Sequence, residues 1–320
     1  MGVGKGVAST SEGQATVGVG LRFVFLLLLA LGAVIFYPIN RFVTEAGIPI
    51  LPFIFWQCLG GAAMAAVALL FLKRRPPMSW RHIRFYLVSG SLSVCIPYIA
   101  LLFAAPRVPV GILSLSLMLE PGFAYLFALV LLIERFRTLR FLGLFLGVAG
   151  LLLIAIPEAS LPSPDMLPWA ALGLVAPMAW AAWGSWNAIR RPPAVDSVSL
   201  TFGMLLFAAL LMLPVMAATG EWWWFEGDFL RIDWTVVTLM AGNAFFWYVG
   251  FECVRLAGPV FFACWAFIGT PMVLAAGIVI FDERHSLWVW SALVLLLAGL
   301  YLVNRTMPAR VGKGTAGTSQ

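Results

Sequence analysis

The pair Glu120-Pro121 places a carboxyl group beside a helix breaker within an apolar stretch of the chain, VPVGILSLSLMLEPGFAYLFALVLLIERF. An ionised carboxylate at the centre of a bilayer costs about 2.5 to 3.5 kcal/mol on insertion scales, so such an acid is either protonated or faces water and a partner. A carboxyl group that is buried and hydrated in turn would take up and release a proton. Glu120 is therefore a candidate for proton coupling. In the alternative reading, a protonated Glu120 only stabilises a bend at Pro121.

Aromatic and amide side chains are the other groups that could bind a ligand near the middle of the predicted spans. No lysine or arginine falls in the interior of a predicted span, which disfavours cargo that carries phosphate. A carboxylate among aromatic faces suits an amine or an aromatic compound. Packing is the alternative for each ring, because aromatic residues make up 14% of the chain. Together with Glu120, the candidates for lining a cavity are Tyr98, Trp180, Trp183, Asn243, Trp247, Tyr248 and Trp265.

Metal and cofactor chemistry finds little support in the sequence. The motifs GxxxxGK[ST], HExxH and GxSxG do not occur, and the cysteines fall inside apolar spans without CxxC spacing. We predict no metal, no cofactor and no enzymatic activity, and an intramembrane enzyme is the least favoured alternative. The cysteines read as small core residues and are Cys58, Cys95, Cys253 and Cys264.

The elements that carry the candidate residues are predicted to be membrane-spanning helices. Of the 320 residues 62% are hydrophobic and 11% are charged, and the mean hydropathy is +0.98. A bilayer core needs about 20 apolar residues per helix, and the apolar runs lack the alternation of barrel strands. We predict an all-α membrane protein with ten transmembrane helices. The predicted spans are 21–37, 50–72, 83–105, 110–133, 141–156, 167–189, 199–218, 234–254, 260–281 and 287–303.

The positive charges predict the orientation of these spans. With both termini in the cytoplasm, sixteen lysine and arginine residues lie on the cytoplasmic side and four on the other side. The net charge of +6 therefore indicates topology and contact with the lipid bilayer rather than binding of nucleic acid.

The chain repeats itself after half of its length. Tyr98, Pro109 and Pro121 recur 150 residues later as tyrosine and proline, and Glu134-Arg135 recurs 149 residues later as Glu283-Arg284. Because each unit holds five predicted helices, the second copy must enter the membrane from the opposite side. This pattern predicts two inverted five-helix repeats. The predicted units are residues 1–20 (disordered N-terminus), 21–157 (first repeat), 166–304 (second repeat) and 305–320 (disordered tail).

The stretches MLEPGFAYLFALVLLIERFRTLRFLGLFLGVAGLLLI and IGTPMVLAAGIVIFDERHSLWVWSALVLLLAGLYLV resemble the proline-to-glutamate signature of the EamA-type family in the drug/metabolite transporter superfamily. The resemblance implies a ten-helix permease whose central cavity is lined by the third, fourth, eighth and ninth helices and by parts of the first and sixth. It implies export more often than uptake. The chain departs from the family at the end of the first helix, where YPINRF replaces a stretch that commonly contains tryptophan.

These observations predict a secondary transporter in a bacterial inner membrane that exports small amine-bearing, amino-acid-like or aromatic metabolites by alternating access. Coupling to protons is preferred over facilitated transport, and the oligomeric state, monomer or dimer, stays open. A scaffold or sensor that does not transport is the other alternative. The residues expected at helix bends and gates are Pro121, Pro271, Glu134 and Glu283, and capping of the following helix is the alternative for both glutamates.

Overall fold

The computed structural model describes residues 19–45, 47–104, 119–155, 167–225 and 231–281, with residues 291, 294–295, 297–299 and 301–302. All regular structure in this described part is helical, which confirms the predicted class. The helices are α1 (Val19–Glu45), α2 (Ile50–Phe71), α3 (Trp80–Gly90), a π turn (Ser91–Cys95), α4 (Ile96–Ala104), α5 (Glu120–Val130), α6 (Thr138–Ala155), α7 (Leu167–Gly173), α8 (Val175–Arg190), α9 (Ser197–Thr219), α10 (Arg231–Ala257), α11 (Pro259–Ala263) and α12 (Trp265–Phe281).

Four of these stretches are long and apolar enough to cross a membrane, namely Ile50–Phe71, Trp80–Leu101, Ser197–Thr219 and Asp233–Ala257. Shorter apolar helices cover Phe23–Gly32, Glu120–Val130, Thr138–Gly150 and Pro259–Gly269. The predicted spans therefore correspond in chain order to α1, α2, α3 with α4, α5, α6, α7 with α8, α9, α10, and α11 with α12. The tenth predicted span, 287–303, lies mostly outside the described residues.

The third span is interrupted by a π turn that a proline explains. Pro97 lacks an N–H group, so it cannot donate the helical hydrogen bond to the carbonyl of Ser93. The chain passes this position as a single π turn, Ser91–Cys95, and continues as α4. Such turns relieve an interrupted hydrogen-bond ladder inside a helix.

The sixth span is divided in the same way. α7 ends at Gly173 and α8 begins at Val175, so Pro177 lies in the first turn of α8. The carbonyl that Pro177 leaves without a helical donor belongs to Gly173, four residues earlier, which is where α7 ends. The break therefore falls one turn before the proline.

The boundaries of the first span differ from the prediction. α1 covers Val19–Glu45 and passes through Pro38, whereas the sequence pattern placed the end at Tyr37. Membrane helices tolerate an internal proline when neighbouring groups satisfy the freed carbonyl, and α1 continues past Pro38.

The helices α2 and α9, which hold equivalent positions in the two predicted repeats, pack side by side in opposite directions. At one end of the pair, Arg74 Nη1 lies 3.8 Å from a carboxylate oxygen of Asp196. Nearer the middle, a Cβ added to Gly61 would lie 3.0 Å from Leu205. Arg74 follows α2 and Asp196 precedes α9, so the two helices are antiparallel.

Several other helix contacts come in pairs that are related by exchange of the two halves. α1 of the first span packs on α12 of the ninth span, and α8 of the sixth span packs on α5 of the fourth span. Likewise, α2 packs on α10, and α9 packs on α3. When each helix is replaced by the helix five spans further along or back, one contact of a pair becomes the other. The boundaries of the units at 21–157 and 166–304 stay a prediction.

Candidate functional site

Glu120 is the first residue of α5 and is almost completely buried, with 2% of its surface exposed. Glu120, Ala124 and Ala128 are spaced by four residues and are all buried, so they form one face of the helix. Among the described residues, Glu120 Oε1 has no hydrogen-bond partner. A buried polar atom without a partner is costly in a folded protein, which marks this carboxyl group as unusual.

The face of α5 that carries Glu120 meets two other helices. Ala124 packs with Ala181 of α8 and Ala263 of α11, and three such small side chains let the helix backbones approach closely. α5 packs on both α8 and α11, which also contact each other. The carboxyl group is therefore held where the fourth, sixth and ninth spans converge.

Trp180 connects the sixth span to the π turn of the third. Its Nε1 donates a hydrogen bond of 3.0 Å to the carbonyl oxygen of Ser93. This is the carbonyl that Pro97 leaves without a helical donor. The ring of Tyr98 meets the ring of Trp180 edge to face, with centroids 6.4 Å apart. The structure thus brings together two of the predicted aromatic residues beside the π turn of the third span.

Trp183 and Trp247 lie in an aromatic core rather than at an open surface. Trp183 is 0% exposed, and its ring centroid lies 4.9 Å from that of Trp247 and 5.2 Å from those of Phe251 and Phe262. Trp265 is partly buried and meets Phe246 edge to face at 5.5 Å. This core ties α8, α10, α11 and α12 together.

The remaining candidates for the cavity lie apart from this core. Asn243 is buried, and its Nδ2 donates to the backbone carbonyl of Gln57 at 3.3 Å, which joins α10 to α2. Tyr248 is 39% exposed on the outer side of α10. The binding role of each candidate residue stays a prediction.

The residues predicted at helix bends have varied surroundings. Pro121 lies in the first turn of α5, a position that proline favours. Residues 105–118, which precede this turn, lie outside the described part, so the predicted bend at Pro121 stays a prediction. Pro271 falls inside α12. Glu134 forms an ion pair with Arg140, and Glu283 lies outside the described residues. Arg140 is only 4% exposed, so this ion pair is largely buried and joins the turn after α5 to the start of α6.

A second polar cluster, which the sequence did not reveal, joins the loop after α8 to the end of α10. Arg191 Nη1 donates to the carbonyl of Phe251 at 3.1 Å, and its Nη2 donates to Ser197 Oγ at 2.8 Å. Ser197 in turn donates to Glu252, which also pairs with Arg255. Burial lowers the pKa of Arg191 to about 10, and nearby Glu252 partly offsets this effect. Only the pair between Glu252 and Arg255 has a local spacing that sequence reasoning could detect.

In the described part, no group of three or more His, Cys, Asp or Glu residues is arranged to hold a metal ion.

Known proteins resemble this chain in sequence and in fold. Residues 21–156 match the EamA-like transporter family. Protein PecM of Dickeya dadantii (strain 3937) is 25% identical over 260 residues, which cover 73% of this chain and 80% of PecM. The uncharacterized transporter YvbV of Bacillus subtilis (strain 168) is 24% identical over 260 residues, or 79% of this chain and 81% of YvbV. A crystal structure of another protein superposes with a TM-score of 0.71 at 16% identity and covers 89% of this chain and 98% of that one, which shows a shared fold.

Proposed function

We propose that this chain, whose residues 21–156 match the EamA-like transporter family, is a membrane transporter that exports small amine-bearing, amino-acid-like or aromatic metabolites across a bacterial inner membrane. The proposed mechanism is alternating access between two inverted halves, driven by exchange with protons. The observation that carries this proposal is the buried carboxyl group of Glu120 at the junction of α5, α8 and α11.

The packing of Glu120 supports a role that depends on protonation. In apolar surroundings the neutral carboxyl group is favoured over the carboxylate, and contact with water reverses this preference. The helices around Glu120 meet through Ala124, Ala181 and Ala263, and Phe123 and Phe127 pack against these alanines. Opening the junction to either side would therefore change the protonation of Glu120.

The antiparallel pair of α2 and α9 supports alternating access. Equivalent helices of the two halves face each other in opposite directions, so motion of one half against the other opens the two sides in equivalent ways. The exchange-related contacts of α1 with α12 and of α8 with α5 have the same consequence.

The partly buried Trp180 of α8 supports the proposed class of cargo. It directly precedes Ala181, which packs on the helix that carries Glu120, whereas Trp183 is closed into the aromatic core. Aromatic faces attract ammonium groups and stack on aromatic rings, and a carboxylate adds charge attraction for a cation. A protonated amine with an aromatic or apolar body fits this combination.

Counterflow in proteoliposomes tests the transport function. Vesicles that contain the purified protein are loaded with unlabelled aromatic amino acids or aromatic amines and diluted into the labelled compound. We expect a transient uptake above that of protein-free vesicles for at least one compound, and uptake should disappear when the vesicles are permeabilised. Uptake equal to that of protein-free vesicles for all compounds of these classes would contradict the proposed cargo.

A further inference from the structure

The turn between α2 and α3 carries a dense positive surface, here called the basic hairpin, which consists of Lys73, Arg74, Arg75, Arg81 and Arg84. All five side chains are exposed. The sequence contains no aspartate or glutamate between Glu45 and Glu120, so the hairpin has no acid of its own to balance these charges. The charge is therefore available to an external anion.

Among the described residues, one acid on a neighbouring helix reaches the basic hairpin. Asp196, the N-cap of α9, lies 3.8 Å from Arg74. Its carboxylate already accepts hydrogen bonds from the backbone N–H and the hydroxyl of Ser199. Asp196 can offset one positive charge at most, which leaves an excess of four on the hairpin.

The backbone of the hairpin is fixed by hydrogen bonds. α2 closes with bonds from Lys73 N to Leu70 O at 3.1 Å and from Arg74 N to Leu69 O at 2.9 Å, and Lys73 has a φ of 53°. On the other side, the buried Tyr86 donates its hydroxyl hydrogen to the carbonyl of Pro77 at 3.1 Å. The cations therefore project from a built turn, and ordering them on a ligand costs little backbone entropy.

Large apolar side chains are exposed directly beside the cations. Phe71, at the last turn of α2, is 84% exposed, and Trp80, at the first turn of α3, is 69% exposed. In a membrane helix these positions lie at the boundary between hydrocarbon and headgroups, where tryptophan is enriched. Acyl chains would cover Phe71, while the headgroup lies at the level of Lys73 and Arg75.

We propose that the basic hairpin binds the headgroup phosphate of an anionic phospholipid, with the acyl chains against Phe71 and the neighbouring face of α2. A cluster of four to eight cations immediately beside a membrane helix is typical of such binding, and each cation near the surface contributes roughly a fivefold gain in affinity. A free phosphate would leave the exposed apolar side chains uncovered. Since Arg74 also reaches Asp196 in the second half of the chain, the bound lipid lies at the junction of α2 with α9.

Native mass spectrometry of the purified full-length protein in detergent tests this proposal with added phosphatidylglycerol. The variant K73Q/R75Q removes two exposed cations from the hairpin. The control R135Q/R137Q removes two exposed cations with the same spacing from the turn after α5. We expect the apparent dissociation constant of phosphatidylglycerol to rise about 30-fold in K73Q/R75Q and less than about threefold in the control. The variant R81Q/R84Q, at the other side of the hairpin, should repeat the loss.

Three results would contradict the proposed binding of an anionic phospholipid. Equal weakening in K73Q/R75Q and R135Q/R137Q would mean that net charge acts without a site, and would overturn the proposal. Equal binding of phosphatidylcholine to the parent protein would remove the headgroup charge from the explanation. Full competition by inorganic phosphate at equal concentration would assign the surface to a soluble anion. The transport assay does not enter these readouts, so their failure leaves the proposed function untouched.

Discussion

Replacement of Glu120 by glutamine separates proton coupling from transport itself. Glutamine has nearly the shape of a protonated glutamate but cannot release a proton. Since Glu120 is buried and its Oε1 has no partner among the described residues, the variant loses little hydrogen bonding. We expect the free energy of unfolding to change by less than about 1 kcal/mol. The coupling step, by contrast, should be lost completely.

The size of the coupling effect follows from the driving force. A gradient of one pH unit supplies about 1.4 kcal/mol for each exchanged proton, which corresponds to about tenfold accumulation of substrate. In vesicles with an acidic interior, the parent protein should therefore accumulate substrate about tenfold. The variant Glu120→Gln should reach equal concentrations on both sides, and its counterflow should persist.

The control and the contrary result are both measurable in the same vesicles. Glu221→Gln removes a carboxylate from the loop after α9, and its accumulation should equal that of the parent protein. If Glu120→Gln accumulates substrate as strongly as the parent protein, the carboxyl group takes no part in coupling. In that case Glu120 only stabilises the start of α5.

Three predictions concern stability and are measured by chemical unfolding of the purified protein in detergent. Trp180→Phe leaves the π-turn carbonyl without its donor and should cost about 1 to 3 kcal/mol; an unchanged value would mean that water replaces the indole. Gly90→Ala places a Cβ 2.9 Å from a backbone oxygen of α9 and should lower the free energy of unfolding by about 1 to 3 kcal/mol. In the control Gly122→Ala the added Cβ meets open space, so the change should be neutral or stabilising. Equal effects of the two variants would contradict the packing of α3 on α9. Arg191→Gln removes the partly buried guanidinium that joins Phe251 and Ser197, and should lower the free energy of unfolding by about 3 kcal/mol. The control Arg255→Gln removes a more exposed partner of Glu252 and should cost at most about 1 kcal/mol. The reverse order would contradict the hydrogen-bond network around Arg191.

Sequence reasoning reached the helical membrane class because that class depends on composition and on the length of apolar runs. Sequence reasoning also explains the break of the sixth span before Pro177, since a proline removes a defined backbone donor. It did not anticipate the π turn at Ser91–Cys95, although Pro97 carries the same signal. The π turn was harder to predict because the freed carbonyl of Ser93 accepts a hydrogen bond from Trp180, which is 87 residues away in the sequence. Such a distant contact leaves no local sequence pattern.

Charged side chains near helix ends were the least predictable part of the candidate site. Arg140 counted as one of many basic residues beside a span, yet it is buried against Glu134. Arg191 likewise lies at a helix end and uses its guanidinium to join a loop to α10. A positive charge at the end of a span favours one side of the membrane whether it contacts lipid or protein, so its sequence position cannot distinguish the two cases.

The interrupted and the continuous helices divide the molecule into parts with different capacities for motion. α2, α9 and α10 run without a break and contact one another. The third, sixth and ninth spans are interrupted at the π turn, at Leu174 and at Cys264, and the segments that border these breaks, α4, α8 and α11, meet around Glu120 or Trp180. A helix bends most easily where its hydrogen-bond ladder is already open, because no further backbone bond has to be broken. The continuous helices can therefore serve as a frame while the interrupted spans move, and α5, which carries Glu120, packs on the sixth and ninth of these spans.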